Sequence, residues 1–558
     1  MRTALVLAAT AVLLAAVGSP ALAQGSGPPE RRTVVLGLRT PAGLLAAASR
    51  ISNPTSSQYR RFLSLRQYRD RFGASAADVR RVRRYLSAQR GVRRIELSPD
   101  RSNVLLVVTP AAGRRLFCAS GPAPPDGRLC TPRPLRRVVR LVSAGELFQV
   151  VRGRASEEPP RSAGTGDCAG AGGGGTFTPS QLSTAYGVDA LHSRGLDGSG
   201  IRVVTLSAQE VPTAGFAIWA RCFGLRTPAV RQIAMPGATR DTGTAPEETV
   251  LDVEALAALA PGLESITPIY VPLDQNFPHS FVVFMLGALD PGRQGGELPD
   301  VLSLSDGVCE NRFTRAQLRL GRRLLAQAAS LGISTLAASG DLGFLGCETP
   351  KPGANFPASS AFATSVGGTD LSLGPGNAIA SQVVWSTFAT DSTQGVGSGG
   401  GPSATWPRPR YQQAPGIDSE LQTGRPTRLG PDVASMGSFV PGISVYDEGG
   451  GGWGIGGGTS TATPLTAAML ALVLQQERAA GRPALGSLPA LLYQLARGPG
   501  YHSIFYDVTE GTSAPRPNTP VGQTPAGGAA QRGYDLATGL GTLNAAAFAD
   551  AVAALSAR

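Results

Sequence analysis

The chain has 558 residues, 42% of them hydrophobic and 16% charged, and a formal charge of +12. That length argues for more than one domain. Lys351 is the only lysine and lies far from the glycine-rich stretches, which excludes a phosphate-binding loop. No CxxC spacing occurs among the six cysteines, so a zinc cluster is not expected.

In chain order, Met1-Arg2, an apolar run from Ala4 to Val17 and Ala21-Leu22-Ala23 read as a secretory signal over residues 1–23. No later run approaches the ~18 apolar residues of a membrane span. The mature protein is expected to be exported, with no membrane anchor, and its cysteines suit an oxidising compartment. The excess of positive charge is local. Between Gln24 and Thr165 there are 27 arginines against 9 acidic residues, a balance of +18, whereas Gly166 to Arg558 carries 23 basic and 30 acidic residues, a balance of −7. Either a nucleic-acid module or a basic segment packing on an acidic partner in the same chain fits that division. Export and the lack of interleaved aromatics argue against nucleic acid.

Residues 24–155 alternate between strands and helices. Thr33–Leu38 and Asn103–Thr109 read as strands, and Pro41–Arg50 and Ala76–Gln89 as helices, giving an α+β domain. Residues 156–176, with Glu157-Glu158-Pro159-Pro160 and the run Gly172 to Gly175, read as an exposed linker open to proteolysis.

From residue 177 to 558 the strands become buried. Ile201–Ser207, Ser265–Val271, Val301–Ser305 and Ile333–Ser339 alternate with helices at Thr249–Ala260 and Thr314–Ser330, the pattern of a mostly parallel sheet with helices on both faces. Ligands bind such sheets at the carboxyl ends of the strands. Leu251, Ala255, Ala258 and Leu259 form an apolar stripe, and Glu248 and Asp252, four residues apart, share one face. They read either as an acid/base pair with one raised pKa or as an acidic first turn complementing the helix dipole. Asp341, after a buried strand, is either a protonated hydrogen-bond donor or a turn residue. Gly456-Gly457-Gly458-Thr459-Ser460-Thr461-Ala462-Thr463-Pro464 precedes an apolar run, with Pro464 suited to the first turn of a helix. It is either a nucleophile turn or a plain capped loop. His192, His279 and His502 have no catalytic surroundings, so a carboxylate base takes precedence over a Ser-His-Asp triad.

These segments together resemble the sedolisin family of serine-carboxyl peptidases. Gly458 to Pro464 is similar to its GTSxxxP motif, Glu248 with Asp252 to its ExxxD element, and Asp341 to its GDxG element. Phe356-Pro-Ala-Ser-Ser, Val366-Gly-Gly-Thr369, Ser398 to Ser403 and Pro431-Asp432-Val433 add further likeness, and Ser52 to Leu63 resembles the family's prodomain. The resemblance implies a subtilisin-like α/β fold behind an α+β activation prodomain at 24–155, with maturation cleavage in the linker. It implies Ser460 as nucleophile, Glu248 as general base and acid, Asp252 as the carboxylate that orients it, and Asp341 as a protonated donor to the oxyanion. An acid optimum follows, because an Asp must be neutral to donate.

The resemblance also implies a structural calcium ion held by the carboxylates of Asp507 and Asp535 and the carbonyls of Val508, Gln531 and Gly533. Three departures stand out: Asp306-Gly307 where the family usually has Trp-Gly, Leu342 in place of the serine of GDSG, and Gln531 where glycine is common. The expected partners are a peptide or protein substrate and the chain's own prodomain, with the protein a monomer. Cys118–Cys130 and Cys309–Cys347 are the expected disulfides. The expected function is a secreted acid endopeptidase made as a zymogen. Alternatives are a tripeptidyl peptidase, a subtilisin-type peptidase, or a non-catalytic binding protein of the same fold. A subtilisin-type site needs a His-Gly element and an aspartate ending the first strand, but here that strand ends Leu206-Ser207.

Overall fold

The computed structural model describes residues 32–118, 129–144, 162–163 and 168–556, apart from 208, 239–246, 272–276, 346, 348–352, 388–394, 414–425, 449–450 and 515–527. The expected signal at 1–23 and residues 156–161 and 164–167 of the expected linker lie outside the described residues.

The N-terminal unit is a four-stranded antiparallel sheet. β1 (Arg32–Leu38) lies between β3 (Asn103–Val108) and β4 (Val139–Ala144), and β2 (Val92–Leu97) pairs with the far side of β3. Strand periodicity sorts the side chains. Val34, Leu36 and Leu38 share a core with helices α3 (Ala76–Ser87) and α4 (Pro110–Phe117). Val35 and Leu105 face the other way, into a core shared with α1 (Leu44–Ile51), α2 (Leu65–Phe72) and helices of the second unit. Local chemistry sets the helix starts: Ser64 forms a capping box with Gln67, Ser75 caps α3, and Thr109 caps α4 ahead of Pro110.

The second unit is built on a long central sheet. Its parallel core runs β10 (Val433–Met436), β9 (Thr364–Leu373), β8 (Ser334–Ala338), β7 (Val301–Leu304), β5 (Arg202–Ser207), β6 (Ser265–Tyr270). Val301 stands in register with Ser334 on one side and Val203 on the other. Antiparallel pairs finish one edge at Phe505–Tyr506 and flank β9 at Ile379–Val384. Successive residues choose opposite faces. Val203, Val301 and Leu336 pack with α5 (Glu247–Leu259) and α8 (Gly458–Ala479), while Val204, Leu302 and Ala337 pack with α6 (Phe277–Ala288) and α7 (Arg315–Ser330). The expected helices and strands of this unit are all present; α6 was not foreseen.

The N-terminal unit, the expected prodomain, sits on the α6/α7 face. Val35, Leu44, Tyr68 and Phe72 join Phe281 and Leu324 in one apolar core, and Leu63 N–H donates to Ser330 O at 2.9 Å. Arg60 is buried and reaches across to Glu477 Oε2 at 2.8 Å, Ser556 Oγ at 2.7 Å and Ala484 O at 2.8 Å. Among the described residues the other ion pair across the contact, Arg293 with Glu96, has its positive charge on the second unit. Contact is therefore mainly apolar, and the prodomain's arginine excess is largely not spent on it.

Three disulfides are formed: Cys118–Cys130, Cys168–Cys222 and Cys309–Cys347. Two of them are the expected pairs.

Candidate active site

α8 begins at Gly458, whose φ of +84° is in the left-handed region. Only glycine suits it, because a Cβ there would also lie 2.7 Å from Asp341 Oδ2. In the first turns Thr459, Thr461, Ala462 and Thr463 are buried, whereas Ser460 remains half-exposed. Pro464 lies inside the helix, not in its first turn as the sequence suggested. Its missing N–H deprives the carbonyl four residues earlier, that of Ser460, of a helical donor. Ser305 Oγ stands in, 3.2 Å from Ser460 O.

Ser305 follows β7, and its hydroxyl also lies 2.5 Å from Asp252 Oδ1 on α5. Asp252 is fully buried. Burial, then the charges of Glu248 and Asp306, push its carboxyl well above the usual range, and only the Ser305 hydrogen bond pulls it down. Glu248 stands one turn earlier on α5 and is half-exposed, so of the two carboxylates it is the one a substrate can reach. Beside it, Thr249 Oγ1 and Ser207 Oγ lie 2.6 Å apart, with Ser207 at the end of β5. A hydroxyl thus occupies the strand end where a subtilisin-type site needs its aspartate.

Asp341 leaves the end of β8, the neighbour of β7. Thr459 donates twice to its Oδ1, from its backbone N–H at 2.8 Å and its hydroxyl at 2.7 Å, and Gly340 N–H supports that hydroxyl at 3.1 Å. Burial raises the Asp341 carboxyl and the two Thr459 bonds oppose the rise. Because Oδ1 is occupied as an acceptor, Oδ2 is the oxygen left to carry a proton. Asp306, one residue after Ser305, is pushed up to about 6 by burial. The departure from Trp-Gly therefore places a third carboxyl within electrostatic reach of the Glu248–Asp252 pair.

Ser460, Glu248, Asp252 and Asp341 thus converge at the carboxyl edge of the parallel sheet, where ligands bind in such folds. Sequence reasoning missed Ser305, Thr459 and the Ser207–Thr249 pair. The histidines have described partners elsewhere: His192 Nε2 lies 2.9 Å from Leu259 O, His279 lies between Thr33 and Ser143 of the prodomain, and the His502 ring meets Tyr501. Upstream of α8, the hairpin of Ile443–Asp447 and Gly452–Gly456 takes Ser162–Ala163 as a third strand, pairing Trp453 with Ser162.

Of the residues expected at the calcium site, Gly533 meets Asp507 and Gln531 meets Asp535. Gly533 N–H donates to both Asp507 oxygens at 3.1 Å, and Gln531 N–H reaches Asp535 Oδ2 at 3.5 Å. Burial pushes the Asp535 carboxyl up to about 7, against hydrogen bonds from Thr538, Ala537 and Gln531. Among the described residues no cluster of three or more His, Cys, Asp or Glu side chains forms a metal site.

The chain is similar to several known proteins. Residues 29–120 match the family "Pro-kumamolisin, activation domain". Kumamolisin from Bacillus sp. (strain MN-32) is 30% identical over 374 residues, which cover 66% of this chain and 62% of kumamolisin. Tripeptidyl-peptidase sed1 from Aspergillus fumigatus is 29% identical over 310 residues, covering 50% of this chain and 44% of that protein. The chain thus spans less than two thirds of the length of either relative. Pseudomonas sedolisin, solved with two molecules of pseudo-iodotyrostatin, shares the fold with a TM-score of 0.57 at 22% identity, over 68% of this chain and 98% of that one. An activation-domain match, a kumamolisin-like sequence and a sedolisin-like fold converge on one likeness: the chain is similar to proteins of the sedolisin family.

Proposed function

We propose that the protein is a serine-carboxyl peptidase, exported as a zymogen and active in acid. The observation that carries this reading is the convergence of the α8 N-terminus, the Glu248–Asp252 face of α5 and Asp341 at one sheet edge. Ser460 Oγ attacks the scissile carbonyl and Glu248 takes its proton, later returning it to the leaving amine. Asp252, held by Ser305, shares the proton of the pair and fixes Glu248. Asp341 Oδ2–H donates to the oxyanion. That last step sets the pH dependence. The Asp341 pKa is raised, so the donor form is present below that pKa and is lost as pH rises through it.

Acid also acts on the prodomain contact. His279 is fully buried between Thr33 Oγ1 at 2.9 Å and Ser143 Oγ at 3.1 Å, and burial lowers its pKa to about 3. Burying it neutral is free above about 6.5, its ordinary pKa, and increasingly costly as pH falls toward 3. Burial raises the Glu477 pKa, but Arg482, Ser556 and Arg60 outweigh it and hold it low. Its contribution is present above about 4.3, the ordinary value, and disappears as acid protonates it. Both groups weaken docking in acid, and Ser162–Ala163, within the expected linker, pairs with the hairpin that leads into α8.

Asp507, Asp535 and the carbonyls of Val508, Gln531 and Gly533 fit a calcium ion, since all donors are oxygens and Asp535 would be held ionised by a cation. The ion would supply positive charge that ties two loops together.

The test is cleavage of an unfolded protein substrate from about pH 2 to 8 by acid-incubated full chain. Loss of both substrate cleavage and self-processing in Ser460→Ala and in Glu248→Ala is expected. A wild type that cleaves at no pH would instead favour a binding protein of this fold.

A further inference from the structure

Carboxyls on and around the candidate site are engaged by neighbours. Asp252 is held by Ser305 and Asp341 by Thr459, and Glu310 accepts from Ser403 Oγ at 2.7 Å and from Ala404 N–H at 2.9 Å. Asp306 differs. It is half-exposed just beyond the carboxyl end of β7, and its carboxyl has no hydrogen bond or ion pair among the described residues.

The backbone that carries Asp306 is fixed on both sides. Before it, the Ser305 hydroxyl bridges Asp252 Oδ1 and Ser460 O. After it, Val308–Cys309 pairs antiparallel with Asn355–Phe356, and Cys309 is bonded to Cys347. A side chain on so short and anchored a turn selects a ligand instead of adapting to it. The titratable groups at the neighbouring helix and strand ends are Glu248 and Asp252 on α5 and Asp341 beyond β8, while β5 ends in Ser207 and α8 presents Ser460. None of these is basic, and Asp252 lies within electrostatic reach of Asp306. A desolvated carboxyl among other carboxyls, with no partner of its own, is a cost to the empty site. A cation arriving with the substrate removes that cost.

We propose that Asp306 selects substrates carrying a basic side chain beside the scissile bond, its carboxylate receiving that side chain's cationic group. The inference deepens the peptidase reading and rests on it. Arginine fits best, because its planar fork gives two parallel hydrogen bonds to one carboxylate and keeps its charge across the whole working range. Burial pushes the Asp306 carboxyl up to about 6, so in stronger acid it is protonated in the empty site and a guanidinium must first displace that proton to solvent. Selection is therefore weak in strong acid and grows as pH rises toward 6.

The experiment compares kcat/KM of acid-incubated wild type and Asp306→Asn on paired peptides that differ only in arginine or citrulline, its neutral near-isostere. The pair is walked through the positions on both sides of the cleaved bond, from about pH 4 to 6. At one position wild type should prefer arginine by roughly 10–100-fold at the upper end of that range, and by less in stronger acid. Asp306→Asn should bring the ratio close to one at every pH, and Asp306→Glu, which keeps the charge, should restore part of it. Each ratio is taken within one enzyme, so a general loss of activity in a variant does not imitate the effect. A wild-type ratio near one at every position, or a preference that survives Asp306→Asn or ignores pH, overturns the proposal and leaves the peptidase reading standing. If no peptide is cleaved at all, the peptidase reading fails, and binding of the same pairs to full-length Ser460→Ala, read by fluorescence polarisation at about pH 6, decides this one. Tighter binding of the arginine peptide that is lost on adding Asp306→Asn supports the assignment of Asp306, and equal binding overturns it.

Discussion

Ser305 has one hydroxyl hydrogen and two acceptors in reach, Asp252 Oδ1 and Ser460 O. With Asp252 protonated, the carboxyl O–H can serve Ser305 while Ser305 serves Ser460, so one hydroxyl joins the orienting acid to the nucleophile's backbone. Glu254, two residues along α5, is fully buried as well. It accepts from Tyr446 N–H at 2.9 Å, and burial, with Asp447 nearby, pushes its pKa well above the usual value. A raised carboxyl favours the fold below its ordinary pKa, and that advantage is lost as pH rises toward the folded value. Wild type should therefore lose stability toward neutrality by up to about 1.4 kcal/mol per pH unit from this group. Glu254→Gln keeps the acceptor without the charge, so its Tm should fall less between about pH 5 and 7 in thermal unfolding. An unchanged slope would show that Glu254 is not neutral in the fold. Ser460, Glu248, Asp252 and Asp341 were legible in the sequence as candidates because their motifs are local. Ser305 and Thr459 were not, since their partners lie 155 and 118 residues away.

At the scale of elements, α8 shows where local rules stop. The rule that proline suits a helix start placed Pro464 in the first turn, but the helix begins six residues earlier because Gly458 takes a left-handed φ and β7 supplies a donor for the freed carbonyl. α6 went unread for a different reason: all twelve of its residues are buried, so Phe277–Ala288 has no polar face to set a period. One face of α6 is covered by the prodomain, which sequence patterning does not reveal. Two of the docking contacts, His279 on α6 and Glu477 on α8, respond to acid. Arg60→Ala removes the prodomain's hydrogen-bonded charge from Glu477, which keeps Arg482, and should cost docking about 1.5–3 kcal/mol, read as prodomain release at a higher pH. His279→Gln removes the group that must be buried neutral, so release should shift to lower pH. Chromatography of acid-incubated, linker-cut protein measures both, and identical release profiles would exclude these residues as the acid-sensitive contacts.

Across the whole molecule, the βα alternation and the step in charge near residue 165 were enough to foresee a parallel sheet behind a separate basic domain. How the charge is used was not visible, because exposure depends on which sheet face is turned outward. The loops around Asp507 and Asp535 close the far end of the sheet, next to Phe505–Tyr506. Removing calcium with a chelator at about pH 7 should lower Tm, and Asp535→Asn should abolish that sensitivity; a Tm indifferent to chelator would remove the ion from the account. The disulfides impose a further condition on maturation. Cys118–Cys130 lies wholly within the prodomain, and Cys168–Cys222 anchors residue 168 to the peptidase. A cut between Cys168 and Cys222 would leave the two pieces one covalent molecule, so only a cut before Cys168 makes them independent. From then on the tether no longer supplies its millimolar-range effective concentration, and dilution alone works against reassociation.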